Sequence, residues 1–227
     1  YSSLGVGLWL VSRRLRHLSA EVWQGAWSRW WQWPAVRRLL GLNRDIFIRS
    51  LCLQLCFAFM TLQGARLGDV AVAANAVLLN FLMLISYGLD GFAYAVEAMV
   101  GRAIGRRDRQ GLREAIVLNL GWALLIAIAF ALGFALGGRL LIAHITDIPA
   151  VIAEANRQLP WLIAMPLLAV WCFLLDGVFI GATRAREMRN SMLVAVFAGF
   201  FPVWWLCQGW GVAALWAAMA ALMTGRG

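Results

Sequence analysis

SYGLDGFAYAVEAMVGRAIGRRDR, residues 86–109, decides the fold. It is an apolar helical pattern that carries two carboxylates, Asp90 and Glu97, and closes on an arginine cluster. At about 100° per residue, Asn80, Tyr87, Asp90, Tyr94 and Glu97 fall on one face. The rest of the pattern shows Ala, Val, Leu, Ile, Phe, Met and Gly. A helix in lipid does not point carboxylates at hydrocarbon, where each charge costs at least about 2.5–3.5 kcal/mol. The stripe is therefore expected to face other protein or a water-filled cavity. Two readings follow: a polar network that holds helices together, or a proton or cation site, the default for an ionisable group inside a membrane.

The composition sets the same frame. Hydrophobic residues make up 63% of the 227 and charged ones 14%, with a mean hydropathy of +0.75. Those values place the chain among membrane proteins. All 20 basic residues are arginine, and the net charge is +9. The arginines cluster between apolar runs, where anionic headgroups account for them more simply than nucleic acid does. Cys52, Cys56, Cys172 and Cys207 sit inside apolar runs without CxxC spacing, so neither a zinc site nor a disulfide framework is indicated. The chain begins at Tyr1 rather than Met and stops shortly after an apolar run, which reads as a fragment cut at both ends.

Taken in order, residues 1–12 look like the tail of a helix, followed by Arg13, Arg14, Arg16 and His17 on the cytoplasmic side. Residues 20–42 interleave Trp23, Trp27, Trp30, Trp31 and Trp33 with arginines, as an interfacial helix interrupted at Pro34 would. Spans are expected over about 46–65, 71–100, 115–136 and 159–182, with the longest non-cytoplasmic loop at 137–157. The charge-free run 190–225 is too long for one span and splits at Gln208-Gly209 into two. Arg66, Arg139 and Arg157 then fall outside and the other 17 arginines inside, which fixes the orientation.

Leu-Asp-Gly occurs twice, at Asp90 and at Asp176. Each aspartate precedes a cytoplasmic arginine by 12 or 8 residues, about 18 and 12 Å along a helix, so both lie within the hydrocarbon region. Glu97 stands nearer the interface. Pro160 and Pro166 are expected to kink the fourth span, and Gly177 and Gly181 to leave room for water beside Asp176. Tyr87 and Tyr94 are expected to hold Asp90 as a hydrogen-bonded acid. On that basis Asp176→Asn cripples function with folding near normal, and Asp90→Asn costs less. Two membrane aspartates also invite an intramembrane protease, but the Tyr-Asp and Gly-Leu-Gly-Asp motifs are missing. Neither a metal motif around His17 and His144 nor a phosphate-binding loop is present, so no enzyme, cofactor or ATP coupling is expected.

Three segments carry a family resemblance: LNRDIFIRSLCLQLCF, LDGFAYAVEAMVGRAIGRRD and WCFLLDGVFIGATRAREMRNSM. Together they closely resemble the multidrug and toxic compound extrusion (MATE) transporters, nearest the bacterial DNA-damage-inducible protein F branch. The resemblance implies an all-α polytopic membrane protein: residues 1–45 as the end of helix 6 and an inter-lobe linker, and 46–227 as a six-helix C-terminal lobe (helices 7 to 12, the last clipped) of a twelve-helix transporter. It also implies a secondary antiporter of the bacterial inner membrane, exporting cationic or amphipathic compounds in exchange for H+ or Na+. Asp176, Asp90 and Glu97 match its carboxylate motifs as cation- or proton-binding residues. Tyr87, Tyr94, Asn80 and Gln54 become cavity-lining polar residues. The sodium-branch glutamate of helix 7 has no carboxylate counterpart here, since Leu53 or Gln54 stands near that position. Proton coupling is therefore favoured. The expected partners are a small-molecule substrate, membrane lipids and the missing N-terminal lobe, with no nucleic acid. The alternatives are a lipid-linked precursor flippase of the same superfamily and a non-transporting scaffold. Spans with acids and no buried arginine tilt the choice towards cationic cargo.

Overall fold

The computed structural model describes residues 33–226, and every regular element among them is a helix. Two compact units divide the chain, residues 1–44 and 45–227. The first is described only from Trp33, where it is helical. Most of the tryptophan-rich stretch, and the short helix tail before it, lies outside the described residues.

Four helices are long and apolar enough to cross a membrane: α1 (Trp33–Arg66), α2 (Asp69–Arg106), α3 (Arg109–Ile145) and α4 (Pro149–Gly181). Each runs past the boundaries that hydropathy alone sets, because its polar ends stay helical beyond the apolar window. From Trp33 onward the chain is helical through Pro34, and the expected interruption there falls at the edge of the described residues. Between α2 and α3 the chain turns at Arg107, whose φ of 56° is left-handed, and Asp108 caps α3 by accepting the Gly111 N–H at 2.9 Å.

The expected loop over 137–157 is not there. Helix α3 continues to Ile145, and α4 starts at Pro149. Within the continued α3, Gly138 has a packing role. A Cβ at Gly138 would stand 2.8 Å from Leu159 Cδ1, so the glycine lets α3 and α4 touch. Pro160 and Pro166 both lie inside α4, which stays helical from Pro149 to Gly181.

After α4 the chain runs through α5 (Ala185–Val194), a π turn (Ala195–Phe200) and α6 (Phe201–Leu206) without leaving helical geometry. At 1.5 Å per residue that run is about 33 Å long, enough for a crossing. The π turn was not foreseen; it stands just before Pro202, which lacks the N–H that a regular α ladder needs. The expected split falls at a 3₁₀ turn (Gln208–Trp210) and Gly211, with φ of 60°, and α7 (Val212–Gly225) follows.

Helix α4 is central, packing against α2, α3 and α7. The core joins Leu78, Leu82, Ile85 and Leu89 of α2, Leu162, Met165 and Ala169 of α4, and Trp216 and Met219 of α7, all nearly fully buried. Trp216 Nε1 donates to Asn75 Oδ1 at 2.9 Å, which ties α7 to α2 within that apolar interior. On α1, Phe59 receives Phe200, Phe201 and Trp204 edge-on at centroid distances of 5.8, 5.4 and 4.9 Å.

The tightest seam lies between α4 and α2. A Cβ at Gly177 would land on the Ala93 carbonyl, and one at Gly181 would meet the Glu97 carbonyl at 2.5 Å. Glycines four apart on α4 thus let it approach the α2 backbone, as small residues do between membrane helices. This corrects the expectation of water beside Asp176: helix backbone fills the space. Gly177→Val should therefore destabilise the protein by at least about 1–3 kcal/mol. A thermal unfolding scan in detergent, against Gly91→Val at an open position on α2, measures it.

Candidate functional site

Asp176 lies on the buried face of α4, about one and a half turns before the helix ends. Its Oδ2 accepts hydrogen bonds from two guanidinium groups, Arg49 of α1 and Arg226 at the end of α7. The Arg226 Nη2 contact is 3.3 Å. One carboxylate oxygen thus joins three helices. Arg226 is only 4% exposed and also lies over the Phe173 ring, 5.4 Å from its centroid. Its Nε and Nη1 are buried without a partner among the described residues.

This overturns one premise of the sequence reading. The spans do contain arginine inside the helix bundle. Arg49 sits ten residues into the apolar stretch that begins at Leu39, and Arg226 closes the last apolar helix. Both were counted among the cytoplasmic arginines; the other 15 still give the asymmetry its sign. The signal for Arg49 was legible as a lone arginine within a span, which requires a buried counter-ion. For Arg226 no local signal existed, because its place depends on how α7 returns to α4.

A carboxylate between two arginines is held by charge-assisted hydrogen bonds as long as it is ionised. If it is neutralised, two guanidiniums lose their anion in a place that cannot solvate them. The cluster therefore has two states separated by one charge. A second pair lies towards the arginine-rich end, where Arg189 Nη1 of α5 donates to Asp45 Oδ1 of α1 at 2.6 Å, with Asp45 only 2% exposed.

The α2 stripe is placed differently from Asp176. Asn80, Tyr87 and Tyr94 are exposed, the tyrosines at 73% and 70%, and Asp90 and Glu97 are half-buried. Asn80, Tyr87 and Tyr94 occupy the side of α2 opposite Leu78, Leu82, Ile85 and Leu89, while Asp90 and Glu97 stand on the flank between that side and the core. The expected tyrosine grip on Asp90 is absent from the described contacts. Both phenols extend outward, and Asn80 turns its amide back to the Ala76 carbonyl at 3.0 Å. A network gluing helices within this unit is therefore not what the stripe forms. Asp90 nevertheless stands within electrostatic reach of Asp176, Arg49 and Arg226. Gln54, exposed on α1, has no hydrogen bond to the stripe.

Known proteins place this arrangement. The MatE family model matches residues 46–205, most of the helical unit. The chain belongs to the MATE family. Over its whole length it is 44% identical to DNA damage-inducible protein F of Escherichia coli K12, covering 49% of that protein. It is 27% identical over 94% of its length to a probable multidrug resistance protein NorM of Synechococcus, again covering 49%. A plant relative, DETOXIFICATION 42 of Arabidopsis thaliana, is 25% identical over 80% of the chain. The chain thus spans about half the length of these bacterial relatives. A MOP superfamily transporter from Pyrococcus furiosus shares the fold, with a TM-score of 0.72 at 19% identity over 83% of this chain and 42% of its own. That protein is described as having a binding pocket of reverse polarity, suggesting a different function. The MATE chain described here is a multi-pass membrane protein of a transporter family rather than of an enzyme family.

Proposed function

We propose that this MATE chain is the C-terminal lobe of a two-lobe antiporter of the bacterial inner membrane, exporting cationic or amphipathic organic compounds in exchange for protons. One observation carries the reading: Tyr87 and Tyr94 are presented outward from the lobe, with Asp90 and Glu97 half-buried along the flank of the same row. Facing lipid, those carboxylates would be prohibitively placed. Facing a second lobe across a water-filled cleft, they form an acidic, aromatic wall that attracts organic cations by charge and by the tyrosine rings. The half-length match to the relatives supports the missing lobe.

Proton coupling is supported by the Asp176 cluster. A proton arriving at Asp176 removes the anion from Arg49 and Arg226 and so favours a rearrangement of α1, α4 and α7. A sodium ion would have to displace two guanidiniums and gather several oxygen ligands around one carboxylate. A flippase for lipid-linked precursors is a second reading, and the two arginines at Asp176 speak for it, since anionic cargo calls for cations. Those two arginines are already bound to Asp176, whereas Asp90 and Glu97 have no arginine partner among the described residues, which keeps the export of cations ahead.

Deletion of the full-length gene separates the two readings. Export of cations predicts increased sensitivity to cationic dyes and antiseptics, with slower dye efflux. Unchanged sensitivity to every cationic compound, together with a cell-wall defect, would instead establish the flippase.

A further inference from the structure

A second site lies at the opposite end of α4. Leu67 in the α1–α2 turn, the first turns of α4 and the 3₁₀ turn before α7 enclose a cavity of about 430 Å³. Glu154, Arg157, Gln158, Trp161 and Trp210 line it. Glu154 and Asp176 are 22 residues apart, about 33 Å along the helix, so this cavity is separate from the arginine cluster. It opens at the arginine-poor end, which the charge asymmetry assigns to the outer surface.

Glu154 is fixed in place. Its Oε1 accepts from Gln158 Nε2 at 2.9 Å and its Oε2 from Arg157 Nη1 at 3.3 Å. Gln158 is itself only 3% exposed, so the acid is anchored from beneath. Each carboxylate oxygen has room for a further donor, and the Arg157 side chain, 78% exposed, donates once among the described residues, with further N–H groups turned to solvent. Two indole rings border the same space, Trp161 half-buried and Trp210 62% exposed. An anchored acid, an outward arginine and aromatic walls at headgroup depth select one ligand chemistry. It is an ammonium and a phosphate joined by a short linker, with acyl chains continuing down the apolar flank of the lobe.

We infer that this cavity binds the headgroup of a zwitterionic phospholipid of the phosphatidylethanolamine type, the ammonium resting on Glu154 and the indoles and the phosphate on Arg157. An anionic lipid finds the arginine but meets the Glu154 carboxylate. A soluble amino phosphate finds the polar groups but lacks the acyl anchor.

The test uses the full-length transporter that contains this chain, relipidated with equimolar phosphatidylethanolamine and phosphatidylglycerol and examined by native mass spectrometry. The wild type should retain phosphatidylethanolamine in preference by about tenfold. Glu154→Gln should abolish the preference, Arg157→Gln should lower retention of both lipids, and Trp210→Leu, at an exposed ring with no fold to disturb, should reduce the preference severalfold. Equal retention by the wild type would overturn the inference, as would a preference unchanged in Glu154→Gln and Trp210→Leu. So would displacement of the bound lipid by millimolar glycerophosphoethanolamine, which would make the site one for soluble compounds.

Discussion

Asp176→Asn is expected to destabilise the protein by about 3–5 kcal/mol, the cost of removing one partner from a buried ion pair. The asparagine keeps the shape but not the charge, and Arg49 and Arg226 are left facing each other without an anion. The sequence alone suggested that this variant folds normally; the two arginines reverse that expectation. Neutralising all three residues, as Asp176→Asn with Arg49→Gln and Arg226→Gln, should restore most of the stability, because a buried ion cluster replaced by uncharged groups of similar shape is often neutral. Thermal unfolding of the single and triple variants in the same detergent measures both effects. A single variant as stable as the wild type would mean that the arginines are not held by Asp176.

Asp90→Asn together with Glu97→Gln should behave in the opposite way. Both side chains are half-buried on the flank of α2, and neither has a hydrogen-bond partner among the described residues. Stability should therefore change little, while the affinity for a dicationic dye falls about 10- to 100-fold, the worth of hydrogen bonds to charged groups. Equilibrium dye binding to the full-length transporter, read by fluorescence anisotropy beside a melting curve, separates the two quantities. Undiminished dye affinity would remove the stripe from the binding wall.

The class of fold was legible because hydropathy is local. Apolar runs of membrane length and arginine punctuation are properties of consecutive residues, and they found every long helix. Their ends were less legible, since helical hydrogen bonding continues into polar residues, as in α2 from Val100 to Arg106. The glycines beside Asp176 misled. Gly177 and Gly181 suggest room for water in a sequence, yet each is a contact whose partner lies on another helix. Asp176 and Asp90 stood out as acids in apolar surroundings. Their difference did not, because one is buried against α1, α2 and α7 and the other stands half-buried on the flank of α2, and only the packing of the helices decides that. Arg226 was invisible as a partner for the same reason.

In the proposed cycle Asp176 is the group whose charge couples the helices to transport. The most direct measurement is dye efflux from proteoliposomes containing the full-length transporter, driven by an imposed pH gradient and, separately, by a sodium gradient. The wild type should respond to the pH gradient alone. The neutral triple variant, folded and at matched protein amount, should respond to neither. Full pH-driven efflux by that triple variant would contradict the account and leave the Asp176 cluster as a structural clamp.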